Sequence, residues 1–210
     1  MNTLAKSSRA KSPRRAFSLT LALPIALALA ACGGAPAAPI EPPLQGAAIG
    51  GEFDLSNTSG DPVRWADFEG QYRIVYFGYA FCPDICPTDV QRTIQGLGQF
   101  ADSAPDLAAQ VQPIFISVDP ERDTPEVVEE FTKAFSDDLI GLTGTPEQIA
   151  DAAKTFGVFY SKIDGPSEEN YLMDHSRAVL LFGPQGEPIA LLPTDLGADA
   201  IAEELGKWVT

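Results

Sequence analysis

A mixed β-sheet flanked by helices is the α/β architecture this sequence predicts, and three observations carry the prediction. Apolar, β-branched runs alternate with helical patterns from about residue 73 to residue 156. Two of those helical patterns open on Thr-Pro, at Thr124-Pro125 and Thr145-Pro146, a pairing that caps a helix and sets its first residue. Toward the carboxyl terminus the order changes to two apolar runs joined by Gly183-Pro184-Gln185-Gly186, which predicts an antiparallel hairpin.

Taken in order, residues 73–79 are apolar on both faces, so they predict an interior strand, not an edge. A helix is expected from Pro87 toward Phe100. Residues 111–118 form a second buried strand, closed by Asp119-Pro120. Thr124 is the expected cap of the next helix, with Val127, Val128 and Phe131 on one face; Asp123 is read as part of the same punctuation. Residues 139–143 predict a short strand, followed by a helix carrying Ile149, Ala152, Ala153 and Phe156. Residues 158–162 and 178–182 predict strands separated by a polar segment ending at Asp174-His175, and residues 189–192 pair back as the hairpin. The last helix starts near Ala198 and presents Ile201, Leu205 and Trp208. This order matches a thioredoxin-like fold, in which reactive cysteines sit between the first core strand and its helix. About 160 residues, from 50 to 210, make one domain able to bury about 70% of its unfolded surface.

The first 31 residues are read as a targeting segment. Lys6, Arg9, Lys11, Arg14 and Arg15 precede an apolar run from Phe17 to Ala31 that is short for a membrane span. The run ends in Leu29-Ala30-Ala31-Cys32, which resembles a bacterial lipoprotein cleavage box with Cys32 as the lipidated residue; a plain secretory cut is the alternative. Arg14-Arg15 also resembles a twin-arginine signal, which leaves the export route open. Residues 32–49, with Pro36, Pro39, Pro42 and Pro43, read as a flexible tether. A lipid at one end and a domain at the other describe a protein anchored to a membrane and facing the extracytoplasmic side of a bacterial envelope. Without the signal, nine basic residues face twenty-nine acidic ones, a net charge of −20. Such a surface repels nucleic acid and either favours cationic partners or serves solubility alone.

The chemistry is concentrated in Cys82-Pro83-Asp84-Ile85-Cys86-Pro87 and in His175, the one histidine of the chain. Three donors suit an open or three-coordinate copper site better than a closed structural zinc site, which takes four. The prolines push both cysteines toward extended backbone and predict Cys86 at the helix N-cap, where thiolate is favoured. Metal ligation, disulfide exchange and a structural disulfide all remain open on this pattern. Asp174 is a candidate for orienting the His175 ring, and Asp119 stands between a turn role and a place at the cavity edge.

Residues 76–87, Tyr-Phe-Gly-Tyr-Ala-Phe-Cys-Pro-Asp-Ile-Cys-Pro, resemble the signature of the Sco/SenC family, as do residues 116–125 and Asp174-His175-Ser176. The resemblance covers residues 50–209. It implies a thioredoxin-like domain that binds one copper, as Cu(I) or Cu(II), through Cys82, Cys86 and His175. It further implies a chaperone for the binuclear copper site of cytochrome c oxidase, with the copper-site subunit as partner alongside other periplasmic copper chaperones or thiol reductants. A thiol–disulfide oxidoreductase that keeps the oxidase cysteines reduced is the alternative. Many members use a transmembrane anchor, whereas this chain resembles a lipoprotein.

Overall fold

A computed structural model describes residues 41–167 and 170–210. The expected signal segment, Cys32 and most of the expected tether lie outside the described residues. The end of the expected tether is fastened, and so is the first residue of the expected domain. The Leu44 amide donates to the Ile189 carbonyl at 2.9 Å, and the Gly50 amide donates to the Thr155 carbonyl at 3.0 Å.

Seven strands form one mixed sheet: β1 (Asp54–Asn57), β2 (Pro62–Arg64), β3 (Tyr72–Gly78), β4 (Val111–Ser117), β5 (Ile140–Thr143), β8 (Val179–Phe182) and β9 (Pro188–Leu191). Their spatial order is β2-β1-β5-β4-β3-β8-β9. The β3, β4 and β5 strands run parallel, while β1, β2, β8 and β9 add antiparallel edges. A separate two-stranded hairpin comprises β6 (Tyr160–Ser167) and β7 (Asn170–His175). The helices are α1 (Ile85–Ser103), α2 (Pro105–Ala108), α3 (Pro125–Lys133), α4 (Pro146–Thr155) and α5 (Ala198–Trp208). None among the described residues is long and apolar enough to cross a membrane.

This is the expected thioredoxin-like arrangement with its carboxyl-terminal hairpin, and it adds three features. The β1–β2 pair begins the domain before residue 73. The polar segment expected to end at Asp174-His175 carries the strand β7. The α1 helix starts at Ile85, two residues earlier than expected.

Every residue of β3 is buried, as its apolar faces require for a central strand. Its one charge, Arg73, is 2% exposed. The guanidinium donates to the carbonyls of Gly183 at 3.0 Å and Phe68 at 2.5 Å and lies 4.5 Å from the Trp65 ring centre. That cation occupies the amino-terminal end of β3 and leaves the carboxyl end to the site. Phe53, Trp65, Phe77, Phe156 and Phe182 pack mainly edge-on in the core at 5.2–6.1 Å. Thr124 and Thr145 cap α3 and α4 through their hydroxyls, each with proline at the first helical position.

The α1 and α5 helices cross closely because Gly96 has no side chain. A methyl group there would lie 2.6 Å from Ile201 and 2.9 Å from the Ala198 carbonyl oxygen.

Candidate metal centre

The site forms where β3 ends and α1 begins, beyond the carboxyl end of a central parallel strand, the usual place for sites in such sheets. Cys82 lies on the loop ahead of the helix, and its amide closes a turn by donating to the Tyr79 carbonyl at 3.3 Å. Asp84 is the N-cap of α1, so Cys86 is the second residue of the helix and not its cap, as the sequence had predicted. Pro87 follows within the first turn, where a missing N–H breaks no helical bond. One amide of that turn, Cys86 N–H, donates to the Cys82 sulfur at 3.3 Å. The helix end therefore stabilises a thiolate at Cys82.

His175 ends β7, opposite Tyr160. Its Nδ1 lies 3.0 Å from the Ser176 carbonyl. A carbonyl only accepts, so Nδ1 carries the proton and Nε2 presents its lone pair. Nε2 lies 3.1 Å from the Cys86 sulfur. Asp174, a candidate for orienting the ring, is exposed, and alternation along β7 puts it on the opposite face. The Ser176 carbonyl takes the orienting place instead. Two buried tyrosines, Tyr76 and Tyr79, meet the imidazole edge-on with ring centres at 6.0 and 5.8 Å.

The two sulfurs and a ring nitrogen all lie within 4.8 Å of one another, the one cluster of this kind among the described residues. Both cysteines are free thiols, Cys82 half-buried and Cys86 fully buried. They are not equivalent. Hydrogen bonding from the Cys86 thiol is the main cause holding the Cys82 thiol far below the ordinary range, aided by the backbone amides of Asp84 and Cys86. The same contact, together with burial, pushes the Cys86 thiol up. Burial is also the main cause of the upward shifts of Tyr76 and of Tyr79, the latter to about 12. Both phenols therefore stay protonated as hydrogen-bond donors.

Sequence reasoning missed a clamp behind the cluster. Asp89, fully buried on α1 one turn beyond Cys86, accepts from Arg177 Nη2 at 3.0 Å, from Arg177 Nε at 3.2 Å and from the Tyr76 hydroxyl at 3.4 Å. Arg177 lies two residues after His175, so the pair fastens the histidine segment to the cysteine helix. The available signal was an aspartate one turn beyond Cys86, on the helix face that enters the core. Asp119 is buried but does not join the cluster. It accepts from the Tyr171 hydroxyl and from Arg122 Nε, each at 2.6 Å, and so holds the β6–β7 hairpin to the loop after β4. Asp123 does not cap α3. Its carboxylate turns inward to the Ala80 amide at 2.8 Å and the Ser117 hydroxyl at 2.6 Å.

Two sulfurs and a neutral imidazole are soft and intermediate donors, a set suited to copper or zinc and poor for magnesium or calcium. Among the described residues the cluster offers three donors, one fewer than a closed zinc site uses.

Comparison with known proteins agrees with this geometry. A model of the SCO1/SenC family matches residues 41–210. The mitochondrial SCO2 homologue of Mus musculus is 41% identical over 167 residues, covering 79% of this chain and 65% of its own length. The SenC protein of Rhodobacter capsulatus is 39% identical over 163 residues, covering 78% of this chain and 72% of its own. The crystal structure of Arabidopsis thaliana ScoI with copper bound superposes with a TM-score of 0.71 at 36% identity, covering 76% of this chain and 97% of that one. The chain spans 46–65% of the length of the first mitochondrial relatives it matches.

Proposed function

The chain belongs to the SCO1/SenC family, and on that premise we propose that it is a copper metallochaperone. It holds one copper ion through Cys82, Cys86 and His175 and assists assembly of the binuclear copper site of cytochrome c oxidase. The observation that carries the reading is the convergence of two sulfurs and an unprotonated imidazole nitrogen within 4.8 Å. The copper-bound Arabidopsis relative supports the identity of the metal.

Copper is cargo here, and the residues divide the work of holding it. Cys82 is already a thiolate, His175 already presents a lone pair, and Cys86 alone must give up a proton on loading. Two thiolates and a neutral imidazole leave copper(I) with a net charge of −1 and copper(II) neutral, so the set accommodates both states; thiolate favours the first. Loading weakens toward acid as protons compete for the donors.

The same thiol asymmetry supports a second reading, a thiol–disulfide reductase acting on the oxidase cysteines. An ionised, half-exposed Cys82 beside a protonated, buried Cys86 is the arrangement that attacks a disulfide and then resolves it. The partner in either case is the copper-site subunit of the oxidase, with other copper chaperones or thiol reductants supplying metal or electrons. The sequence reading of residues 1–31 as a lipoprotein signal, Cys32 as the lipidated residue, residues 32–49 as a tether and residues 50–210 as the copper domain supports a protein anchored to a bacterial envelope membrane and facing its extracytoplasmic side.

His175→Ala separates the two readings. The copper reading expects a folded variant that loses most of its copper affinity, keeps a reversible Cys82–Cys86 disulfide and fails to mature the oxidase at limiting copper. A folded His175→Ala protein that restores full oxidase activity in a deletion strain refutes delivery and favours the reductase. Oxidation of Cys82 and Cys86 to a disulfide removes both thiolates; copper kept at full stoichiometry after verified oxidation refutes the ligand set.

A further inference from the structure

The β3–β4 ladder ends at Gly78 opposite Ser117, and the Val118 amide donating to the Gly78 carbonyl at 2.8 Å is the contact that follows it. Beyond that rung β3 has no strand to hold it, yet Cys82 must be placed four residues on. The Ala80 amide is caught instead by the Asp123 carboxylate, at 2.8 Å. The same oxygen, Oδ2, accepts the Ser117 hydroxyl at 2.6 Å, and the Asp123 backbone carbonyl accepts the Thr143 hydroxyl at 3.5 Å. One residue thus ties the carboxyl ends of β3, β4 and β5 together.

The arrangement is costly, which makes a purely structural account of the charge insufficient. Asp123 is 1% exposed, and its other oxygen, Oδ1, is buried with no hydrogen-bond partner. Burial raises the acid to about 6, opposed by the bonds from Ser117 and Ala80, with Asp119 and Arg122 the charged groups around it. The helix that follows does not need it, because Thr124 supplies the cap.

We propose that Asp123 is the positioning residue of the metal loop, setting the place of Cys82 through the Ala80 amide. This rests on the reading of Cys82 as a ligand, and it adds to that site a buried residue that touches none of the three donors. A charge-assisted hydrogen bond is stronger and shorter than one from a neutral group, so a carboxylate here fixes the loop where a neutral side chain would let it drift.

The test compares Asp123→Asn, Asp123→Ala and Ser117→Ala in reduced protein, by amide exchange of Ala80 and by competition for copper(I) against a chromogenic chelator. In Asp123→Asn, amide exchange at Ala80 is expected to quicken at least tenfold relative to Phe77 in the core of β3. Copper(I) affinity is expected to fall about tenfold, the size of one lost hydrogen bond to a charged group. Ser117→Ala removes a bond to the same oxygen but leaves the Ala80 contact, so its copper affinity is expected within about twofold of the parent. The proposal is overturned if Asp123→Asn releases the Ala80 amide without changing copper affinity, or if Ser117→Ala weakens copper as much. Should Asp123→Ala not fold, the near-isosteric Asp123→Asn carries the comparison. Should the parent protein bind no copper, the ligand reading fails by itself, and the Ala80 exchange and Cys82 alkylation rates still decide the positioning role.

Discussion

Alkylation of the reduced, metal-free protein tests the asymmetry of the two thiols. An ordinary thiol with a pKa near 8.5 gains thiolate about tenfold per pH unit, so its alkylation rate rises roughly 100-fold between pH 5 and pH 7. Cys82 accepts hydrogen bonds from the Cys86 thiol and from the Cys86 amide, and is ionised throughout that range. Its rate is therefore expected to change less than about threefold across the window. The absolute rate at pH 7 is not expected to be high, because intrinsic nucleophilicity falls with pKa (Brønsted coefficient about 0.4–0.5). The advantage over a free cysteine appears below about pH 6. Cys86, fully buried and held protonated, should remain unmodified until Cys82 has reacted. Mass spectrometry of iodoacetamide adducts over time, from pH 4 to pH 8, gives both rates. In Cys86→Ala the largest cause of the depression is gone, and a rising rate should return. A Cys82 rate that climbs about 100-fold from pH 5 to pH 7, or equal labelling of both thiols, would refute the reasoning. The linkage sign agrees with this assignment. A thiol pKa lowered in the folded state adds stability that is present above the unfolded pKa and lost as pH falls through the folded one. Replacing Cys82 with Ser should accordingly flatten the rise in stability from mildly acid pH to about pH 8.

Two glycines of α1 should respond in opposite directions. Gly96→Ala gains about 1 kcal/mol of helix propensity, but its methyl meets the Ala198 carbonyl and Ile201 at under 3 Å, and overpacking against backbone costs about 1–3 kcal/mol. A net loss in urea midpoint is expected. Gly98→Ala meets nothing within 4 Å and should raise the midpoint by up to about 1 kcal/mol; equal responses would sink the packing argument. Arg177→Ala leaves the buried Asp89 carboxylate without its bidentate partner. Breaking a buried pair costs about 3–5 kcal/mol, but Arg177 is 42% exposed and water can replace part of it, so a loss of about 1–2 kcal/mol is expected. Arg177→Lys should not restore stability, because an ammonium lacks the fork that spans both oxygens; full rescue by lysine would argue against the bidentate clamp.

The Cys82–Cys86–His175 cluster was legible in the sequence because its residue types are scarce: with one histidine and two cysteines beyond residue 32, few alternatives existed. The Thr-Pro starts at Thr124 and Thr145 were legible because capping is local. The order of core strands was also clear, since β3 and β4 are buried on both faces and lack the alternation of an exposed strand. What could not be read depends on side-chain direction in three dimensions. Asp123 stands beside a helix cap, and local rules assign it there; only the approach of Ala80, forty-three positions earlier, turns it inward. Cys86 was expected at the N-cap because Pro87 favours the first helical position, but proline is tolerated throughout the first turn, and the helix used that latitude to begin at Ile85. The β7 strand was missed because its alternation is partial: Tyr171 is buried, while Leu172 on the other face is 48% exposed. Asp89 and Arg177 are eighty-eight residues apart, beyond any pattern a local reading detects.

The fastening of Leu44 to β9 fixes where the domain mechanically begins. With a lipid on Cys32 as proposed, the leash is the twelve residues from Cys32 to Leu44, not the longer stretch to residue 50. Fully drawn out, twelve residues reach at most roughly 40 Å, close to the thickness of one bilayer with its headgroups. The domain would then search a thin shell over the membrane instead of the whole compartment. An acceptor embedded in the same membrane would meet it at an effective concentration in the millimolar range, so transfer could proceed without a large, high-affinity interface. Lengthening the leash would dilute that encounter even with every ligand intact.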